Sequence, residues 1–155
     1  MEIRRSVRVP CSAERLFSWV DDLAVYPTWM RLVHDVEAVA VADGEPPAWN
    51  VELRAQVGPL ARSKRLRMAR TVHVPPRESV FERAEVDGRR HSPWVLRATV
   101  VDVDDEADDA STELTMELRY GGSLWTGALL QRVLDEEVRL GSDALVEAVS
   151  AEPRR

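Results

Sequence analysis

Cysteine, lysine and long apolar runs are what this sequence has least of. Cys11 is the only cysteine, so no disulfide can close within the chain and packing must hold the fold. Lys64 is the single lysine among 21 basic residues, an arginine bias of the kind carried by some bacterial proteomes. No stretch approaches the roughly 20 apolar residues of a membrane span. The N-terminus has no basic segment followed by an apolar run, so the expected location is the cytoplasm. A net charge of −6 repels nucleic acid and anionic membrane surfaces, and neither is an expected partner. Glycine loops for nucleotides, nucleophile elbows and zinc-protease helices are missing as well. His34, His73 and His91 lack metal-ligand spacing. The acidic run from Asp102 to Asp109 lacks the glycine and closing glutamate of a calcium loop, and reads as a hairpin turn. No metal and no cofactor is expected.

What is there fits one globular domain over residues 1–155. With 45% apolar and 31% charged residues, the chain has the composition of a soluble globular protein and the length to bury a sizeable core. Glu2 to Val9 alternate with period two, as a strand with one wet face does. Pro10 stops it. Ser12 then stands as an N-cap, with Arg15 where a capping box would place glutamate, before a short helix from Ala13 to Val20. A second short helix spans Leu23 to Met30, with Pro27 at a bend or first turn.

Period two returns in six segments: Val33 to Val41, Trp49 to Val57, Lys64 to Val74, Ser79 to Val86, Trp94 to Val103 and Thr112 to Tyr120. Between them stand Asp43-Gly44, Gly58-Pro59, Pro75-Pro76 and Asp87-Gly88, all turn chemistry. None of these connections can hold a crossover helix, so the strands form an antiparallel meander. After Gly121-Gly122 the period becomes 3.6 until about Ser150. This predicts a helix on the order of 40 Å long, capped by Ser123 or Thr126, with a stripe containing Leu129, Leu130, Val133, Leu134, Val138, Leu140, Ala144, Leu145, Ala148 and Val149.

The fold class is therefore α+β: a curved seven-stranded antiparallel sheet around a long C-terminal helix, with two short helices after the first strand. A sheet curled around a helix leaves an apolar cavity between them. Alternation turns Trp49, Val51, Leu53 and Ala55 inward on one strand, Leu66, Met68 and Val72 on the next, Trp94, Leu96 and Ala98 on a third, and Leu114, Met116, Leu118 and Tyr120 on the last. From these, the candidate ligand-binding residues are Leu53, Met68, Trp94, Leu96, Met116 and Tyr120. Tyr26, Trp29 and Met30 join them as a lid, and Leu130, Leu134 and Gly141 from the long helix.

Two residues interrupt the helical stripe. Glu137 places a carboxylate where burial costs several kcal/mol unless paired, and Gly141 costs about 1 kcal/mol against alanine in a helix interior. One reading makes Gly141 the roof of a ligand space and Glu137 its acid, base or acceptor. The other has Gly141 relieve crowding and Glu137 turn to the solvent rim. Arg70, Arg83 and Arg97 are the candidate partners of that carboxylate. The run Arg62, Lys64, Arg65, Arg67, Arg70 reads as an outer face paired with Glu52 and Glu82 across strands.

The order strand, two short helices, six strands and long helix resembles the START-like (SRPBCC) superfamily, in particular its polyketide cyclase/dehydrase-like branch. The resemblance covers nearly the whole chain. It is carried by Val9-Pro10-Cys11-Ser12-Ala13-Glu14-Arg15-Leu16-Phe17 and by Asp22-Leu23-Ala24-Val25-Tyr26-Pro27-Thr28-Trp29, with Pro75 to Val80, Gly88 and Trp94 further on. It departs at Cys11-Ser12, where the family usually has proline. What the resemblance implies is the helix-grip fold and a lipid, quinone or polyketide-like ligand, carried or sensed. An enzyme of the cyclase or dehydratase type, using Glu137, a histidine or Tyr120, is the alternative. A third is an accessory protein whose exposed tryptophan-bearing helices engage a partner. Charged edge strands predict a monomer or weak homodimer.

Overall fold

A computed structural model of the protein describes residues 1–103, 110–121 and 128–152, except for the side chains of 129 and 130. The element order is β1 (Glu2–Val9), α1 (Ala13–Phe17), a 3-10 helix (Leu23–Thr28), β2 (Val33–Val39), β3 (Ala48–Val57), β4 (Leu60–Val74), β5 (Glu78–Arg83), β6 (Trp94–Asp102), β7 (Thr112–Tyr120) and α2 (Ala128–Ala151). This is the helix-grip arrangement expected from the sequence. The helix-cap candidates Ser123 and Thr126, and the acidic residues 104–109, lie outside the described residues.

The seven strands form one antiparallel sheet in the order β1-β7-β6-β5-β4-β3-β2. β2 to β7 run as a meander, and β1 pairs with the last strand, Ile3 facing Leu118 and Val9 facing Thr112. The largest boundary shift is at β4, which begins at Leu60 rather than Lys64. Its extra residues pair back on β3 through Val57 and Leu60. That tight turn requires a positive φ, which Gly58 supplies at 61°.

Alternation places the core as the sequence implies: Trp49, Val51, Leu53 and Ala55 of β3 are buried, as are Leu114, Met116, Leu118 and Tyr120 of β7. It fails in β4, where the register shifts between Arg70 and Val72. Met68 and Ala69 are both buried there and Val72 is only half-buried. A bulge puts two residues opposite one and turns the following side chains.

The register also corrects the expected basic face. Lys64 lies opposite Leu53 and Arg62 opposite Ala55, so both share the concave face with buried partners. Arg65 and Arg67 do lie on the outer face, in a shallow groove with Asp35, Glu37, Asn50 and Glu52, and Arg65 faces Glu52 across the ladder.

α2 closes the concave side with Leu134, Val138, Leu145 and Val149 buried and Gly141 and Ser142 beneath it. Leu140 is not part of this stripe and is 37% exposed. Two steps from Val138 at about 100° each carry it to the opposite side of the helix. Ser142 takes a place on the buried side because its hydroxyl donates to the Val138 carbonyl at 2.8 Å, which satisfies it inside its own helix.

The C-terminal end of α2 is tied to the first helix. Ser12 caps α1 by accepting from the Arg15 amide. The Arg15 side chain reaches α2, donating to the carbonyls of Val149 (2.9 Å) and Glu152 and pairing with the Glu152 carboxylate at 2.9 Å. Trp19 Nε1 donates to the same carboxylate at 3.1 Å. Arginine where a capping box would have glutamate thus serves another helix, whose last carbonyls lack partners of their own.

Candidate functional site

Between the concave sheet and the segments that cover it is a cavity of about 60 Å³. Four strands build its floor through their inward positions: Val51 and Leu53 with Leu66 and Met68, then Trp94 and Leu96 with Met116 and Leu118. Leu23, Tyr26 and Met30 close one side at helical spacing, and Leu32 and Val33 follow as the chain enters β2. Val138 supplies the contact from α2. No ionisable carboxylate, imidazole, amine or guanidinium is among these lining residues.

The sequence candidates separate into three groups. Tyr26, Met30, Leu53, Met68, Trp94, Leu96 and Met116 meet at the cavity wall. Trp29, Tyr120, Leu134 and Gly141 are buried around it without lining it. The side chain of Leu130 lies outside the described residues. Val51, Leu66 and Leu118, expected to face inward but not among the ligand-binding candidates, complete the wall together with Leu23, Leu32, Val33 and Val138, which were not candidates either. For Leu23 the signal was available, since it precedes Tyr26 and Met30 by three and seven positions, the spacing of one helix face.

Tyr26 is fully buried, with its hydroxyl donating to the Val20 carbonyl at 2.9 Å. Burial pushes that phenol far above its ordinary range, with Asp21 adding to the effect. Trp29 packs against Tyr26 at 4.7 Å between ring centroids, while its Nε1 donates to the Trp19 carbonyl at 3.1 Å. It braces the lid from behind.

Glu137 is 5% exposed yet lines no part of the cavity. Its two oxygens accept from Arg31, at 3.1 Å from Nε and 2.5 Å from Nη2. The guanidinium end lies in solvent, with the Arg31 side chain 74% exposed. A fork-on-fork pair of this kind holds a carboxylate that would be costly to bury alone. The expected partners do other things: Arg70 donates to the Asp21 carbonyl, Arg83 pairs with Glu85 and Arg97 with Glu78. Gly141 makes room. A Cβ there would lie 2.7 Å from Met30 Sδ, so the missing methyl lets a cavity-lining side chain rest directly on α2.

At one flank of the cavity the apolar wall meets polar groups. Lys64 Nζ stands 5.9 Å from the centroid of the Trp94 ring, within range of a cation–π contact. Burial lowers the pKa of this amine, and Arg83 nearby lowers it further while Glu85 opposes. Tyr120 faces Trp94 in the β6–β7 register, their ring centroids 5.1 Å apart. The Tyr120 hydroxyl is buried without a hydrogen-bond partner among the described residues, and its pKa is raised by burial.

The histidines stand apart from the cavity. His73 stacks on Phe17 and approaches Asp21, and His91 pairs with Asp87. Among the described residues, no group of three or more His, Cys, Asp or Glu could hold a metal ion. No helix there is long and apolar enough to cross a membrane.

No protein-family model matches the chain, and no curated protein matches it in sequence. Solved structures do match in shape. A START superfamily protein from Mycobacterium smegmatis superposes with a TM-score of 0.73 at 20% identity, covering 96% of this chain and 97% of that one. A protein from Thermus thermophilus gives 0.64 at 17% identity over 97% and 98% of the two chains. The Zhui aromatase/cyclase from a Streptomyces species gives 0.64 at 13% identity over 97% and 93%. Likeness at these identities extends to the fold, which is START-like.

Proposed function

Taking the START-like helix-grip fold as the starting point, we propose that this protein binds a small apolar or aromatic molecule in its internal cavity and carries or senses it without transforming it. The observation that supports this most directly is the lining: among the described residues, every one on the wall presents an apolar surface. An acid or base for cyclisation or dehydration must come within hydrogen-bond reach of the reacting atoms. The one carboxylate on the buried side of α2 is committed to Arg31 instead, and the one phenol on the wall is committed to Val20. Partner recognition through exposed tryptophans has less support, since Trp29, Trp49 and Trp94 are buried and Trp19 is half-buried.

Size constrains the ligand. Pockets that enclose drug-sized molecules usually hold about 300–1,000 Å³, several times the volume here. Three of the four methionines, Met30, Met68 and Met116, stand on this wall. Methionine side chains repack cheaply. The cavity is therefore fixed in position and adjustable in volume.

Titration calorimetry with 1-octanol, alongside native mass spectrometry of protein purified without added ligand, tests the reading. The wild type and Glu137→Gln bind octanol alike, and Val138→Phe, which fills the cavity from α2, binds at least about tenfold more weakly. A wild type that binds no apolar probe and retains no co-purifying small molecule overturns the proposal.

A further inference from the structure

The apolar wall has a charged neighbour, and it is the chain's single lysine. Lys64 lies opposite Leu53 in the β3–β4 ladder, so its side chain leaves the sheet on the concave side that Leu53 lines. Its ammonium stands over Trp94, another wall residue. No carboxylate among the described residues pairs with Lys64 at ion-pairing distance, whereas Arg83 beside it is occupied by Glu85, Ser92 and His91. On β7, Tyr120 packs against the same indole, tilted by 34°.

A half-buried cation with no carboxylate at ion-pairing distance is unfavourable alone. Against an aromatic ring, at the edge of an apolar space, it offers an anion complementary chemistry. We propose that the cavity's ligand is amphipathic and anionic, with its apolar body against Met68 and Met116 and a carboxylate at Trp94 accepting from Lys64 Nζ. This rests on the cavity-binding reading above and adds the head group to it. The single charge of a carboxylate matches the ammonium that stands over the indole. Charge-assisted hydrogen bonds formed away from bulk water are the strong kind, so the head group sets both orientation and selectivity.

The test compares octanoate with 1-octanol, which share an apolar body and differ at the head, by calorimetry at pH 7 and fixed ionic strength. The wild type prefers octanoate by about tenfold or more. Lys64→Gln abolishes the preference by weakening octanoate alone, and Lys64→Arg retains part of it. Equal affinity for the two probes in the wild type, or a preference that survives Lys64→Gln, overturns the head-group assignment and leaves the cavity reading standing. If neither probe binds, both fall.

Discussion

Lys64 is the residue on which the sequence and the structure part most clearly. In the sequence it belongs to a basic run, and the run as a whole has the look of a solvated face. Its strand parity, read against Leu53 and Leu66, was enough to turn it inward, but a cation on a concave face contradicts the usual preference for burying apolar side chains. Glu137 was legible as an anomaly and its partner was not. Arg31 follows Met30 in a turn with no periodicity, and only the folded chain brings it 106 positions along to α2. The energetic cost of Lys64 has a pH signature. The folded chain holds this proton less tightly than the unfolded chain, where a lysine titrates near 10.5. Below the folded value the buried charge detracts from stability, and as pH rises toward 10.5 the folded state releases the proton first and the penalty disappears. Replacing Lys64 with Met should therefore raise the urea midpoint near pH 7, by a margin that shrinks as the pH approaches 10.5. A margin independent of pH would show that the amine is not desolvated.

Elements were more legible than contacts. Period two and turn residues located all seven strands, because a half-wet sheet writes its pleat directly into the chain. The register shift at Arg70 was invisible, since one extra residue leaves no compositional trace. The stripe of α2 was placed correctly at Leu134, Val138, Leu145 and Val149 and misplaced at Leu140, where apolar character outweighed angular position. Gly141 belongs to this scale because it sets the distance between the helix and Met30. Changing Gly141 to Ala gains about 1 kcal/mol of helix propensity while forcing Met30 Sδ aside, toward the cavity. The expected result is a protein whose urea stability stays within about 1 kcal/mol of wild type and whose octanol affinity drops severalfold. Unchanged affinity would mean that the Met30 side chain yields in some other direction.

For the whole molecule, the parts that hold α2 in place differ in kind along its length. Its C-terminal end is fastened by Arg15 through two backbone carbonyls and a carboxylate, with Trp19 in support. Nearer the cavity it is held by Arg5 to Asp135 and Arg31 to Glu137, pairs with at least one member well exposed. Salt screens exposed pairs and has little hold on hydrogen bonds to carbonyls. The helix therefore has a fulcrum at residues 149–152 and a latch at 135–137. On the binding reading proposed above, a guest sealed beneath Val138 leaves when the latch lets go. Stopped-flow release of octanol, which has no charge of its own to be screened, should accelerate as ionic strength rises, whereas the unfolding midpoint barely moves. A release rate indifferent to salt would mean the exit lies elsewhere. The ion pairs along α2 would then do more than help secure the fold: they would set how long such a guest remains inside.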